Sequence, residues 1–188
     1  MNKPNSEKIK IPFLMTFIGS VLLLIMILLP YASAKDDYKE YLKSDPKNYY
    51  VSEIKMTNAS AVNISMLEYS RIYAETARQG IYKEVSIICI VLISLFALFS
   101  LLALLMSLLK KATGIIIFDL LALAVFWLIH FDYADRGVLP TNSYGWGIAN
   151  YLTYIVGIVV ATGAVWLFVE KRKFKRLAKK QQENTIQE

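Results

Sequence analysis

Residues 110–135 read KKATGIIIFDLLALAVFWLIHFDYAD, and the reading of this stretch decides the fold. After the dibasic pair Lys110-Lys111, an apolar run from 112 to 131 is interrupted inside by one acid, Asp119, with His130 near its far end. A helix crosses a hydrocarbon core about 30 Å thick with roughly 20 consecutive apolar residues. The run therefore reads as a membrane span carrying an intramembrane carboxyl.

Three further runs of that kind lie at residues 11–34, 85–109 and 146–169. Composition agrees: the chain is 56% hydrophobic and 19% charged, against about 45–50% and 25% for soluble domains. The expected fold is an all-α integral membrane protein, a four-span antiparallel helix bundle. Its segments are an N-terminus at 1–10, spans at 11–34, 85–109, 115–131 and 146–169, an inner turn at 110–114, outer loops at 35–84 and 132–145, and a basic tail at 170–188.

Charge sets the orientation. Lys3, Lys8, Lys10, Lys110, Lys111 and seven basic residues between 171 and 180 fall on one side, twelve of 21, whereas the other side holds nine basic residues against ten acids. Positive-inside counting places both termini in the cytoplasm of a plasma-membrane protein. Tyr31, Phe131, Tyr133, Tyr144, Trp146 and Tyr151 then gather at the outer interface, where amphipathic rings settle. The first span also resembles a signal peptide, with a basic start and an A-x-A ending at Ala32-Ser33-Ala34. Its apolar core exceeds the 7–15 residues of a typical signal core, and retention is expected.

The loop 35–84 holds an amphipathic helix over about 65–84. Ser65 and Glu68 have capping-box spacing, and Met66, Tyr69, Tyr73, Ala77 and Ile81 recur every three or four residues. With no proline before the next span, one helix is expected from about 65 to 109, an outer extension of the second span. Its tyrosine stripe either packs on the rest of the loop or docks a partner. Met66, Tyr69 and Tyr73, with Leu139, Tyr144 and Trp146 of the glycine-rich segment 137–147, are the candidate partner contacts. Two glycosylation sequons, at Asn58 and Asn63, read as chance matches.

The turn 110–114 makes the second and third spans antiparallel neighbours. Ala149, Thr153, Gly157 and Ala161 form a small-residue stripe on the fourth span for close helix packing, within the chain or in a homo-oligomer. Cys89, the single cysteine, excludes an intrachain disulfide and reads as a core residue.

Chemistry is sparse. Asp119 is the candidate for an ion or proton path, since intramembrane acids are costly, and it stands about 16 Å from His130 along the helix. His130, Asp132 and Asp135 are weak candidate metal ligands. Lys171, Arg172, Lys173, Lys175 and Arg176 would attract anionic lipid, and nucleic acid is not needed to explain them. No catalytic arrangement, cofactor motif or repeat is visible. Four spans, both ends inside and a longer first outer loop resemble the claudins in layout, but the tryptophan and paired-cysteine signature of their first loop is missing, so their barrier function does not carry over. The chain reads as a non-catalytic accessory or scaffold subunit binding a larger membrane or surface partner through its outer loops. The alternatives are an oligomeric channel or transporter using Asp119 and, third, an intramembrane enzyme.

Overall fold

A computed structural model describes residues 6–187. The elements run α1 (Ser6–Ile25), β1 (Pro30–Ala34), α2 (Asp36–Ser44), β2 (Tyr49–Val51), β3 (Met56–Thr57), α3 (Asn58–Ala61), β4 (Asn63–Ser65), α4 (Met66–Arg78), α5 (Lys83–Leu108), α6 (Ala112–Asp135), β5 (Tyr144–Trp146) and α7 (Ile148–Gln187). The chain is mostly helical, as its composition requires. Among the described residues three helices are long and apolar enough to cross a membrane: α5, α6 and the part of α7 over Ile148–Leu177. The apolar part of α1, Ile9–Ile25, is shorter, about 25 Å at 1.5 Å per residue.

The run 11–34 is thus not one helix, which corrects the expectation for the first span. After Ile25 the chain makes a turn, and Pro30, which has no N–H to continue a helix, opens β1. β1 is the middle strand of an antiparallel sheet of order β4-β1-β5. Ala32 lies opposite Ile64 on one side and Trp146 on the other. The sheet lies at one end of the bundle, against the starts of α4 and α7, and Gly147, where β5 passes into α7, lies so close to β1 that a Cβ there would overlap the Pro30 carbonyl.

Helices α5 and α6 form the most extensive pair. On α5 the buried positions are Ser86, Cys89, Ile93, Phe96, Ser100, Ala103 and Ser107. On α6 they are Ala112, Ile115, Asp119, Ala122, Phe126, Ile129 and Tyr133, with Val125 alongside. Steps of three and four alternate along both, the seam of an antiparallel coiled-coil pair. Contacts of α6 with α7, α7 with α1 and α1 with α5 close the ring. Gly163 admits Met15 and Thr16, and Gly19 admits Val160. Of the small-residue stripe, Ala149 and Thr153 are fully buried and Gly157 receives Leu123, all within the chain. Ala161 is half-buried beside an outward groove with Val165 and Trp166.

Helix α4 starts as its spacing predicts. The Glu68 N–H donates to Ser65 Oγ at 3.2 Å, and the Ser65 N–H donates to Glu68 Oε2 at 2.7 Å. It does not continue into α5, which corrects the expected single helix. Gly80 takes φ +76 and Tyr82 φ +44. The Gly80 N–H donates to Ala77 O, and that of Ile81 to Thr76 O, the Schellman ending that a glycine just past a helix allows. α4 instead folds back along the start of α5.

Candidate functional site

The region around the sheet is built on Tyr31, placed on β1 so that its ring is fully buried. Four rings meet it edge-on: Tyr69 at 6.3 Å, Phe126 at 5.7 Å, and Tyr133 and Trp146 at 5.6 Å. Tyr73 packs on Tyr69 and Tyr133. This cluster ties sheet, α4 and bundle together.

The residues expected as partner contacts belong largely to that interior, which is the packing alternative for the tyrosine stripe. Met66, Tyr69, Leu139 and Tyr144 are buried, and Tyr73 and Trp146 are half-buried. The apolar face of α4 has found its covering inside the chain. Tyr144 donates from its hydroxyl to Ala61 O at 2.8 Å. Burial pushes the hydroxyls of Tyr69 and Tyr144 above the ordinary phenol range, so both rings stay neutral.

What the region around the sheet leaves open is a cleft of about 560 Å³ lined by Tyr38, Tyr50, Tyr69 and Tyr144 together with apolar Val51, Ile64, Ile72 and Val138. Thr141 and Ser143 add hydroxyl groups to its wall. Tyr38 stands edge-on to Tyr144 at 5.5 Å. A second cleft, also about 560 Å³, shares Tyr38 and Ser143 and is lined by Lys35, Asp36, Asp37, Tyr41 and Asn142. Tyr41 and Tyr49 are exposed nearby, at 65% and 56%. Apolar walls with a few hydroxyl groups suit the capture of another chain's side chains. Tyr38, Tyr41 and Tyr50 escaped the sequence reading, although Tyr38 and Tyr41 stand one helical turn apart.

The candidate metal ligands diverge. His130 Nδ1 donates to Asn150 Oδ1 on α7 at 2.9 Å, and its ring stacks on Trp146 at 4.1 Å. Asp132 faces α5: it pairs with Arg136, while Cys89 Sγ donates to it at 3.6 Å and accepts from Arg136 at 3.0 Å. Asp135 is exposed. At two and five positions from His130 both aspartates lie across the helix from its ring, and no three His, Cys, Asp or Glu side chains converge among the described residues.

Asp119 lies within the α5–α6 seam, fully buried, with neither carboxyl oxygen hydrogen-bonded. Ser100, its counterpart in height on α5, is also buried with an unpartnered hydroxyl. The stacked pair Phe99–Phe118 and the tilted pair Phe96–Phe126 also join α5 to α6 in this stretch. Nearer the α5–α6 turn, Thr16 Oγ1 and Ser107 Oγ share a hydrogen bond of 3.0 Å, and Ser20 Oγ donates to Thr16 O. A strip of polar groups thus runs inside the half of the bundle away from the sheet.

These features define a membrane-type helical protein with a small folded region at one end of its bundle. Comparison with known protein families, curated proteins and solved structures finds no match.

Proposed function

We propose that the chain spans the plasma membrane four times with both termini cytoplasmic, and that it acts as a non-catalytic accessory or scaffold subunit holding a larger membrane or surface partner through its outer region. The observation that carries this reading is the pair of clefts meeting at Tyr38 and Ser143, open and tyrosine-rich on a region otherwise packed shut. Tyrosines give large, rigid contact area with a polar tip, the chemistry favoured at protein interfaces. The fourth crossing is supported by α1, which turns Ile11, Leu14, Ile18, Leu22 and Ile25 outward at steps of three and four, as a lipid-facing stripe would. A photo-crosslinking residue at Tyr41 or Tyr49 should join the protein to one larger species in native membranes, whereas the same residue at Arg176 should not. A protein that stays monomeric and uncrosslinked at both outer positions overturns the proposal.

Asp119 favours a second reading, a proton or ion path through the polar strip. In liposomes that reading expects flux with the intact protein and its loss in Asp119→Asn. Equal flux from both, or none from either, removes it.

A further inference from the structure

At the end of the bundle away from the sheet, a cavity of about 410 Å³ lies between the α5–α6 turn and α7. Its walls carry Lys110, Lys111, Lys171, Arg172 and Lys175 around an apolar floor that includes Phe168, and none of the described residues lining it is acidic. Two segments about 60 residues apart deliver these charges. The Lys171 ammonium donates to the Lys110 carbonyl, which docks α7 on the turn. Arg172 is held over the Phe168 ring at 5.2 Å, and Lys110 over Phe13 at 5.1 Å. Lys111 precedes α6 without a side-chain cap, so the amides of Ala112, Thr113 and Gly114, which also line the cavity, have no intrahelical acceptor. That helix end adds donors, but the cavity and its like charges define the site.

Cations crowded around one space repel each other, and an anion seated among them relieves the repulsion. Guanidinium, ammonium and free amide donors together match the oxygens of a phosphate group. We propose that this cavity binds the phosphate headgroup of an anionic phospholipid. Phe168 sits among the exposed apolar residues Val165 and Val169, so a headgroup here lays its acyl chains along the outward face of α7, which a soluble phosphate would leave unused. The site is narrower than general attraction to a basic tail: Lys173 points elsewhere, paired with Glu170 at 3.0 Å, and Arg176 does not line the cavity.

The inference rests on the membrane reading and not on the outer clefts. Native mass spectrometry of the full chain in mild detergent, with phosphatidylglycerol or phosphatidylcholine added, tests it. Retention of one phosphatidylglycerol in preference to phosphatidylcholine is expected. Lys111→Gln and Arg172→Gln should each weaken retention about fivefold, while Lys173→Gln and Arg176→Gln, which remove the same charge outside the cavity, leave it nearly unchanged. Far-ultraviolet circular dichroism checks that each variant is folded. Equal loss from all four variants, no preference for phosphatidylglycerol, or equally effective displacement by inorganic phosphate overturns the proposal. A chain that stays soluble without detergent sinks the membrane reading instead, and that is scored separately.

Discussion

Tyr31 is the residue on which the outer region turns, and its ring and hydroxyl pull in opposite directions. The ring has four aromatic neighbours, while the hydroxyl is buried without a partner. Tyr31→Phe keeps every ring contact and removes the unpartnered group, so thermal unfolding in detergent should show it equal to or more stable than the parent, whereas Tyr31→Ala should lose about 3–5 kcal/mol. Asp119 presents the same opposition without the compensating ring. Asp119→Leu should stabilise the bundle by about 1–3 kcal/mol, the usual cost of a buried polar group left unpaired. A gain of that kind would also show that the carboxyl is retained for something other than folding. Tyr69 and Tyr144 predict a response to alkali. Their folded pKa values lie above the unfolded value near 10, so the stability they contribute is complete below about pH 10 and falls as pH rises past it, by about 1.4 kcal/mol per pH unit for each ring. The tyrosinate absorbance that rises together with unfolding in alkali should therefore shrink in Tyr69→Phe and in Tyr144→Phe, and an undiminished rise in both would contradict the burial.

At the scale of elements, three helices end the same way. α4 closes on Gly80, α6 on Gly137 and α5 on Lys110, each with positive φ and the same pair of backbone hydrogen bonds reaching back into the last turn. Glycine adopts that conformation freely, but lysine does not. Lys110→Gly should stabilise the α5–α6 hairpin by about 1 kcal/mol in thermal unfolding while weakening phosphatidylglycerol retention, a pair of opposite signs that a purely structural role for Lys110 would not produce. Gly147→Ala should cost about 1–3 kcal/mol by forcing β5 away from β1. These endings also show what could be read in advance. Hydrophobic length and the basic turn made α5 and α6 legible, and Ser65 with Glu68 marked the start of α4. Gly80, one residue after Gln79 and two after Arg78, was a visible stop signal that periodicity over Ala77 and Ile81 concealed. The strands were beyond local reading. Pro30–Ala34 and Asn63–Ser65 are short, and their partners lie far away in sequence, so their pairing is set by where the helices deliver them. The tyrosine cleft was hidden for the same reason, since Tyr38, Tyr50, Tyr69 and Tyr144 come from four separate elements or loops.

For the whole molecule, the apolar belt and the two chemically distinct ends make orientation measurable. Cys89, the single cysteine, is 1% exposed, so the native chain offers almost no background to a thiol reagent. Tyr49→Cys should react with an impermeant maleimide on intact cells, and Arg176→Cys only after the membrane is opened. The reverse pattern would invert the protein and move the tyrosine cleft to the cytoplasm. The two ends also divide labour. One carries the tyrosine-lined clefts and the other the cavity ringed by lysine and arginine, and the polar strip with Asp119 lies between them.

The three-stranded sheet constrains the order in which the protein can be made. Its middle strand leaves the ribosome with the first helix, but β5 follows α6, and the last cleft residues, Thr141, Ser143 and Tyr144, emerge only as the final helix is about to be threaded. Until then Tyr31 lacks Trp146, one wall of the cleft is missing, and β1 has an open edge. A nascent chain stalled before β5 therefore has only one side of β1 paired and the cleft unfinished, so on the proposed reading a partner meets only molecules whose last helix follows into place.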